Sequence, residues 1–113
     1  MKQVILDTSF ILTCVRQKID FFENLLEYQI IIAKQVIDEI KRLATPNSQL
    51  SLKLLEKNNF KEINLGKGHV DKLIIQFAKE NPRVIVATLD KEIKNKVKNN
   101  KLIIRVKKKL EII

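Results

Sequence analysis

Apolar residues along the chain fall into two alternating kinds of run: short β-branched stretches, and longer stretches with apolar positions three and four apart. Val4-Ile5-Leu6 is a short apolar run that ends at an acid, Asp7. The segment after it, to about residue 28, spaces Phe10, Cys14, Phe21, Phe22, Leu25 and Leu26 as a helix or broken helix does. Ile30-Ile31-Ile32-Ala33 reads as a second strand, and residues 34–44 set Val36, Ile37, Ile40 and Leu43 at helical spacing. Thr45-Pro46-Asn47-Ser48 breaks the pattern, with Asn47 or Ser48 placed to cap a helix running to about residue 57. A short strand is expected over 60–65 and a turn at Gly66-Lys67-Gly68. A helix over 70–79, with Val70, Leu73, Ile74 and Phe77 on one face, then stops at Asn81-Pro82. Val84-Ile85-Val86-Ala87 has the composition of a buried strand. Residues 90–99 read as a helix with Ile93 and Val97 inward, 102–106 as a strand and 110–113 as a candidate terminal one.

Strand and helix alternating in this way predict an α/β fold. The expected form is a single domain over residues 1–113, in three layers, with a central, mainly parallel sheet of about five strands covered by helices on both faces. In such open sheets ligands bind beyond the carboxyl ends of the strands. Asp7 and Asp90 both sit where a strand ends. Two further acids lie at the edges of apolar helical stripes. Glu39 flanks the stripe of Val36, Ile40 and Leu43 while Asp38 points nearly opposite to it, and Asp71 shares a half-buried face with Ile75 and Ala78.

Taken singly, each acid has an ordinary role: Asp71 as a first-turn charge on a helix dipole, Glu39 as part of a surface pair, Asp7 and Asp90 as strand-closing polar residues. Taken together, two strand-end and two stripe-edge carboxylates are what a carboxylate-lined metal site requires. Several carboxylates at close range cannot all ionise without a cation, and all-oxygen ligation suits Mg²⁺ or Mn²⁺ rather than zinc. Competing chemistries are weak. His69 is the lone histidine and reads as a cap or turn residue, no Cys/His zinc pattern occurs, and Gly66-Lys67-Gly68 lacks phosphate-loop spacing.

Composition adds a partner. Lys and Arg number 22 against 13 Asp and Glu, a formal charge of +9, and the pI is near 9.8. Nine of those bases and only one acid, Glu92, fall between Lys91 and Lys109. A lysine-rich solvated surface accounts for such a run as readily as a polyanion does, so charge alone does not decide between them. One cysteine, Cys14 in an apolar run, excludes an internal disulfide and is expected to be a buried thiol. With no apolar run long enough for a membrane span and no signal-peptide pattern, the expected location is cytoplasmic, away from membranes.

Four stretches then show a likeness that spans nearly the whole chain: V-I-L-D-T-S-F-I-L at 4–12, I-I-A-K-Q-V-I-D-E-I-K-R-L at 31–43, G-H-V-D-K-L-I-I at 68–75 and V-A-T-L-D-K-E-I-K-N-K-V-K at 86–98. In order and spacing they resemble the PIN-domain nucleases. The last stretch, A-T-x-D-x-x-I-K followed by a strand and a lysine-rich end, looks closest to the branch that processes ribosomal RNA. The resemblance implies that Asp7, Glu39, Asp71 and Asp90 are the catalytic, metal-holding quartet, with Ser9 and Thr88 as supporting hydroxyls. The activity implied is a divalent-metal-dependent endoribonuclease, for which Lys91, Lys94, Lys98, Lys107, Lys108 and Lys109 would hold RNA backbone. A homodimer is compatible with the resemblance, and so is a ribosome-assembly partner. The alternatives are a toxin ribonuclease restrained by an antitoxin protein, and a non-catalytic RNA-binding module of ribosome assembly. Where many relatives carry a further acid after the last aspartate, this chain has Lys91 and Glu92, and Glu92 is expected on the surface.

Overall fold

The computed structural model describes residues 1–113. Six strands form one sheet: β1 (Gln3–Leu6), β2 (Gln29–Ala33), β3 (Lys61–Ile63), β4 (Ile85–Ala87), β5 (Lys101–Arg105) and β6 (Lys109–Ile112). Their order across the sheet is β3-β2-β1-β4-β5-β6, parallel except for β6, which returns antiparallel along β5. Where about five strands are expected, with the terminal segment as a candidate strand, six are present. The extra one is the terminal segment, which a tight turn at residues 106–108 folds back onto β5.

β1, β2 and β4 occupy the middle and are almost pure Ile, Val, Leu and Ala. All but Gln3 and Gln29 are buried, as strands covered on both faces must be. β3 at one edge is short and largely exposed, which limits pairing with other chains. The helices are α1 (Thr8–Arg16), α2 (Phe21–Asn24), α3 (Lys34–Leu43), α4 (Pro46–Glu56), α5 (Val70–Glu80) and α6 (Lys91–Lys96). Right-handed crossovers put α1, α3 and α4 on one face and α5 and α6 on the other, and each set packs within itself. Phe10, Phe21, Ile40, Ile74 and Ile93 are among the fully buried side chains that join the layers.

Local chemistry accounts for the element ends. The first helical segment is broken, with Lys18 in the left-handed region between α1 and α2. Thr45, rather than Asn47 or Ser48, caps α4. Its hydroxyl accepts the Ser48 N–H at 3.1 Å, the Ser48 hydroxyl accepts the Thr45 N–H at 2.7 Å, and Pro46 takes the first helical position, where its missing N–H costs nothing. α6 is shorter than expected. It ends at Lys96 because Val97 turns extended and the buried Asn99 amide donates to the carbonyls of Ala78, Asn81 and Val84. His69 stands at the N-cap of α5 without a side-chain capping bond.

No helix is long and apolar enough to cross a membrane. Burial pushes the Cys14 thiol up to about 12.

Candidate active site

The chain leaves β1 toward β2 and leaves β4 toward β5, in opposite directions. The neighbouring carboxyl ends of β1 and β4 thus form the topological switch point of the sheet, where open α/β sheets form their binding crevice. Asp7 follows β1 there and caps α1; Thr88 to Asp90 follow β4, and Asp90 caps α6. The Asp7 N–H donates to the Ala87 carbonyl at 2.9 Å, continuing the β1–β4 ladder to the rim.

Asp7 is 4% exposed and fully hydrogen-bonded. One carboxylate oxygen accepts the Thr8 N–H at 2.8 Å; the other accepts the Thr88 hydroxyl at 2.8 Å and the Ser9 hydroxyl at 3.3 Å. Each hydroxyl also accepts a backbone N–H from the β4–α6 loop, Thr88 from Asp90 at 3.0 Å and Ser9 from Leu89 at 3.2 Å. Ser9 and Thr88 therefore pin the loop that carries Asp90 to the carboxylate of Asp7. Burial raises the Asp7 carboxyl above its ordinary value, the bonds from Thr88, Thr8 and Ser9 pull it down, and the Glu39 charge pushes it up again.

Asp90 uses one oxygen to cap α6, accepting the N–H groups of Glu92 at 2.8 Å and Ile93 at 3.4 Å. Glu39 is half-buried on α3. Its neighbour Asp38 points to solvent and pairs with Lys34 at 2.9 Å, which holds the Asp38 carboxyl low. Asp71 departs from expectation: it is an exposed residue, not a half-buried one. Its helical phase and its place in the first turn of α5 are legible in sequence; that this turn stands at the open rim of the sheet is not. The Asp71 carboxyl is nevertheless raised. Partial withdrawal from water comes first, then the charges of Asp7 and Asp90, a hydrogen bond with Asp90, and the charge of Glu39. Four acids from four separate elements thus act on one another at a single rim.

The donor set is all oxygen, and its mutual repulsion is what a divalent cation relieves, so the residues fit Mg²⁺ or Mn²⁺ in kind. The set is not closed: as they lie, no three His, Cys, Asp or Glu side chains stand close enough together to bind one ion. Thr8, which sequence reasoning passed over, carries the one buried side-chain oxygen without a hydrogen-bond partner, beside Asp7 in the chain. Its only sequence signal was its place in the D-T-S triplet.

The lysines are unevenly placed along α6 and the β5–β6 hairpin. Lys91 and Lys98 are exposed and Lys94 half-buried along α6 and its end, and Glu92 is a surface residue paired with Lys96 at 2.8 Å. Lys107, Lys108 and Lys109 are exposed in the β5–β6 hairpin. A hollow of about 390 Å³, lined by Leu89, Gln17, Arg105, Lys107 and Lys108 among others, joins the hairpin tip to the loop before Asp90. Lys107 and Lys108 have φ of 64° and 61°, a conformation that L side chains adopt at a cost.

A family model described as a PIN like domain matches residues 4–109. Ribonuclease VapC4 of Methanocaldococcus jannaschii is 32% identical, across 99% of this chain and 97% of that protein. Among solved structures, the PIN domain endonuclease Utp24 superposes with a TM-score of 0.85 at 26% identity, covering 97% of this chain and 90% of its own. A domain of a functionally unknown protein from M. jannaschii superposes with a TM-score of 0.58 at 22% identity, over 84% and 83% of the two chains, and speaks for the fold alone. With the family pattern running through nearly every element and the acidic rim at the sheet's switch point, the chain belongs to the PIN-like domain family.

Proposed function

We propose that the chain is a divalent-metal-dependent endoribonuclease that hydrolyses RNA phosphodiesters, with Asp7, Glu39, Asp71 and Asp90 as its metal-holding residues and ribosomal RNA processing as its role. The observation that carries this reading is geometric: Asp7 and Asp90 follow the neighbouring carboxyl ends of β1 and β4 at the sheet's switch point, and Ser9 and Thr88 tie the loop that carries Asp90 to the Asp7 carboxylate. Asp71, exposed and outside the chain's salt bridges, meets the like charges of Asp7, Asp90 and Glu39, an arrangement that is unfavourable until a cation is shared.

A bound Mg²⁺ or Mn²⁺ supplies Lewis-acid polarisation of the phosphoryl oxygen and a water that is nucleophilic at neutral pH. The protein's part is placement. Ser9 and Thr88 fix the Asp7 carboxylate and leave it no rotational freedom. The α6 cap holds Asp90 by one of its two oxygens. Lys91, Lys94, Lys98 and the hairpin lysines 107–109 hold backbone phosphates, which fixes register without reading sequence. Single-stranded or looped RNA suits an acidic rim at the end of a sheet better than a rigid duplex does.

The ribosomal role is supported by the pattern over residues 86–98, by the lysine-bearing hairpin and by the likeness to the Utp24 endonuclease along almost the whole chain. A toxin ribonuclease restrained by a protein inhibitor is the second reading, favoured by the full-length likeness to the VapC4 ribonuclease. Growth arrest on expression, relieved by Asp90→Asn, selects it. The test of the activity itself is cleavage of single-stranded RNA. Mg²⁺ or Mn²⁺ should support it, EDTA should stop it, and Zn²⁺ alone should not restore it. Undiminished cleavage in EDTA overturns the metal mechanism.

A further inference from the structure

A hollow of about 680 Å³ lies away from the acidic rim. It opens at the opposite end of the sheet, between the amino ends of β1, β4 and β5, with Val84, Ile85 and Ile112 among its apolar walls. Its charged lining is Lys2, Arg83 and Lys98, with no acid among them. All three side chains are exposed, and none enters the chain's salt bridges, which join Lys34 to Asp38, Lys96 to Glu92 and Arg105 to Glu111. Three unpaired cations around one groove repel one another, and a polyanion relieves that repulsion. The wall that bears Arg83 is rigid. Buried Asn99 donates to the carbonyls of Ala78, Asn81 and Val84, and the Val84 N–H closes the turn onto Asn81 at 3.0 Å.

This groove and the acidic rim are joined by one element. α6 starts from Asp90 at the rim, and the chain reaches Lys98 at the groove two residues after Lys96. β1 is four residues long, so the two ends of the sheet stand roughly 13 Å apart. Lys91 and Lys94 lie on the helix between them, with Lys98 at its far end. We propose that the groove of Lys2, Arg83 and Lys98 is a second backbone-binding site for the RNA substrate. A strand engaged at the acidic rim runs along α6 and is gripped again at the far end of the sheet. The inference rests on the nuclease reading and adds to it a preference for longer single strands.

The experiment measures dissociation constants for two unstructured single-stranded RNAs, of roughly 4 and roughly 16 nucleotides, in EDTA so that neither is cut. Wild-type protein should hold the longer RNA more tightly and with a steeper salt dependence. Lys2→Gln combined with Arg83→Gln should cut affinity for the longer RNA roughly tenfold and flatten its slope by up to about 0.7 logarithmic units per lost contact. Affinity for the short RNA should stay as it was. Lys57→Gln, an exposed lysine beyond α4, is the control and should change neither. If the double variant affects both lengths alike, or neither, the inference fails, and an acidic protein that binds the groove in place of RNA overturns it equally. A separate arm measures Mg²⁺-dependent cleavage of the short RNA. Absence of cleavage there, with the length-dependent affinity intact, counts against the nuclease reading and not against the groove.

Discussion

Replacing Asp71 by Asn removes one charge from the exposed edge of the acidic rim while keeping a side chain that can still hydrogen-bond to Asp90. Two unit charges about 4 Å apart repel by roughly 1 kcal/mol in bulk water and roughly 4 kcal/mol at an effective dielectric of 20. An exposed group sits near the lower figure, so the relief is at most about 1 kcal/mol after screening. Against it stands the lost attraction between a first-turn carboxylate and the α5 dipole, about 0.3–1 kcal/mol. The net for the metal-free protein at neutral pH is a stabilisation of up to roughly 0.7 kcal/mol, a rise in Tm of up to about 3–6 °C at about 4–8 °C per kcal/mol for a domain near this size.

The pH dependence has a definite sign. The Asp7 and Asp71 carboxyls are raised in the fold above their ordinary 3.8, so between 3.8 and the raised values the folded state binds more protons than the unfolded. Their contribution to stability is therefore greatest at acid pH and falls as pH rises through that window. The advantage of Asp71→Asn should be complete at neutral pH and gone near pH 3.8. Calorimetry in EDTA across this range measures it. Mg²⁺ should then raise the melting temperature of wild type more than that of the variant, since a ligand stabilises only the folded state that binds it. RNA cleavage should fall sharply. An Asp71→Asn protein that melts well below wild type in EDTA at neutral pH yet cleaves RNA at the wild-type rate would refute the reasoning.

Thr88→Val removes the donor to Asp7 and the acceptor of the Asp90 N–H in one step; urea unfolding should show a loss of about 2–4 kcal/mol, largely recovered by Thr88→Ser. Lys107→Gly relieves a left-handed lysine, so it should raise stability by up to about 1 kcal/mol while weakening RNA binding in a filter assay. A loss of stability would show that the turn is not strained. Cys14, buried and pushed up to about 12, should resist a thiol reagent at neutral pH in the native protein and react at once in denaturant; native reactivity would contradict its burial.

Period and composition were enough to determine the alternation of strands and helices, because a strand buried on both faces has to be a continuous run of Ile, Val, Leu and Ala, and an amphipathic helix has to repeat its apolar residues every three or four positions. They located the carboxyl ends of β1 and β4, and with them Asp7 and Asp90, while Ser9 and Thr88 came from the family resemblance. Helical phase separated Glu39 from the solvent-facing Asp38. What the one-dimensional pattern did not contain was anything that depends on neighbours distant in the chain. Asp71 has the phase of a half-buried residue, but its exposure follows from α5 beginning at the open rim. α6 ends early because Asn99, an ordinary polar residue in sequence, finds three carbonyls of the α5–β4 turn. The terminal segment reads as a candidate strand in sequence, but its antiparallel place in the sheet depends on the edge that β5 offers it. The groove of Lys2, Arg83 and Lys98 joins residues that are 81 and 15 positions apart in sequence. Periodicity records which side of an element is dry, whereas a site is made by which elements stand side by side, and that is decided by strand order and packing.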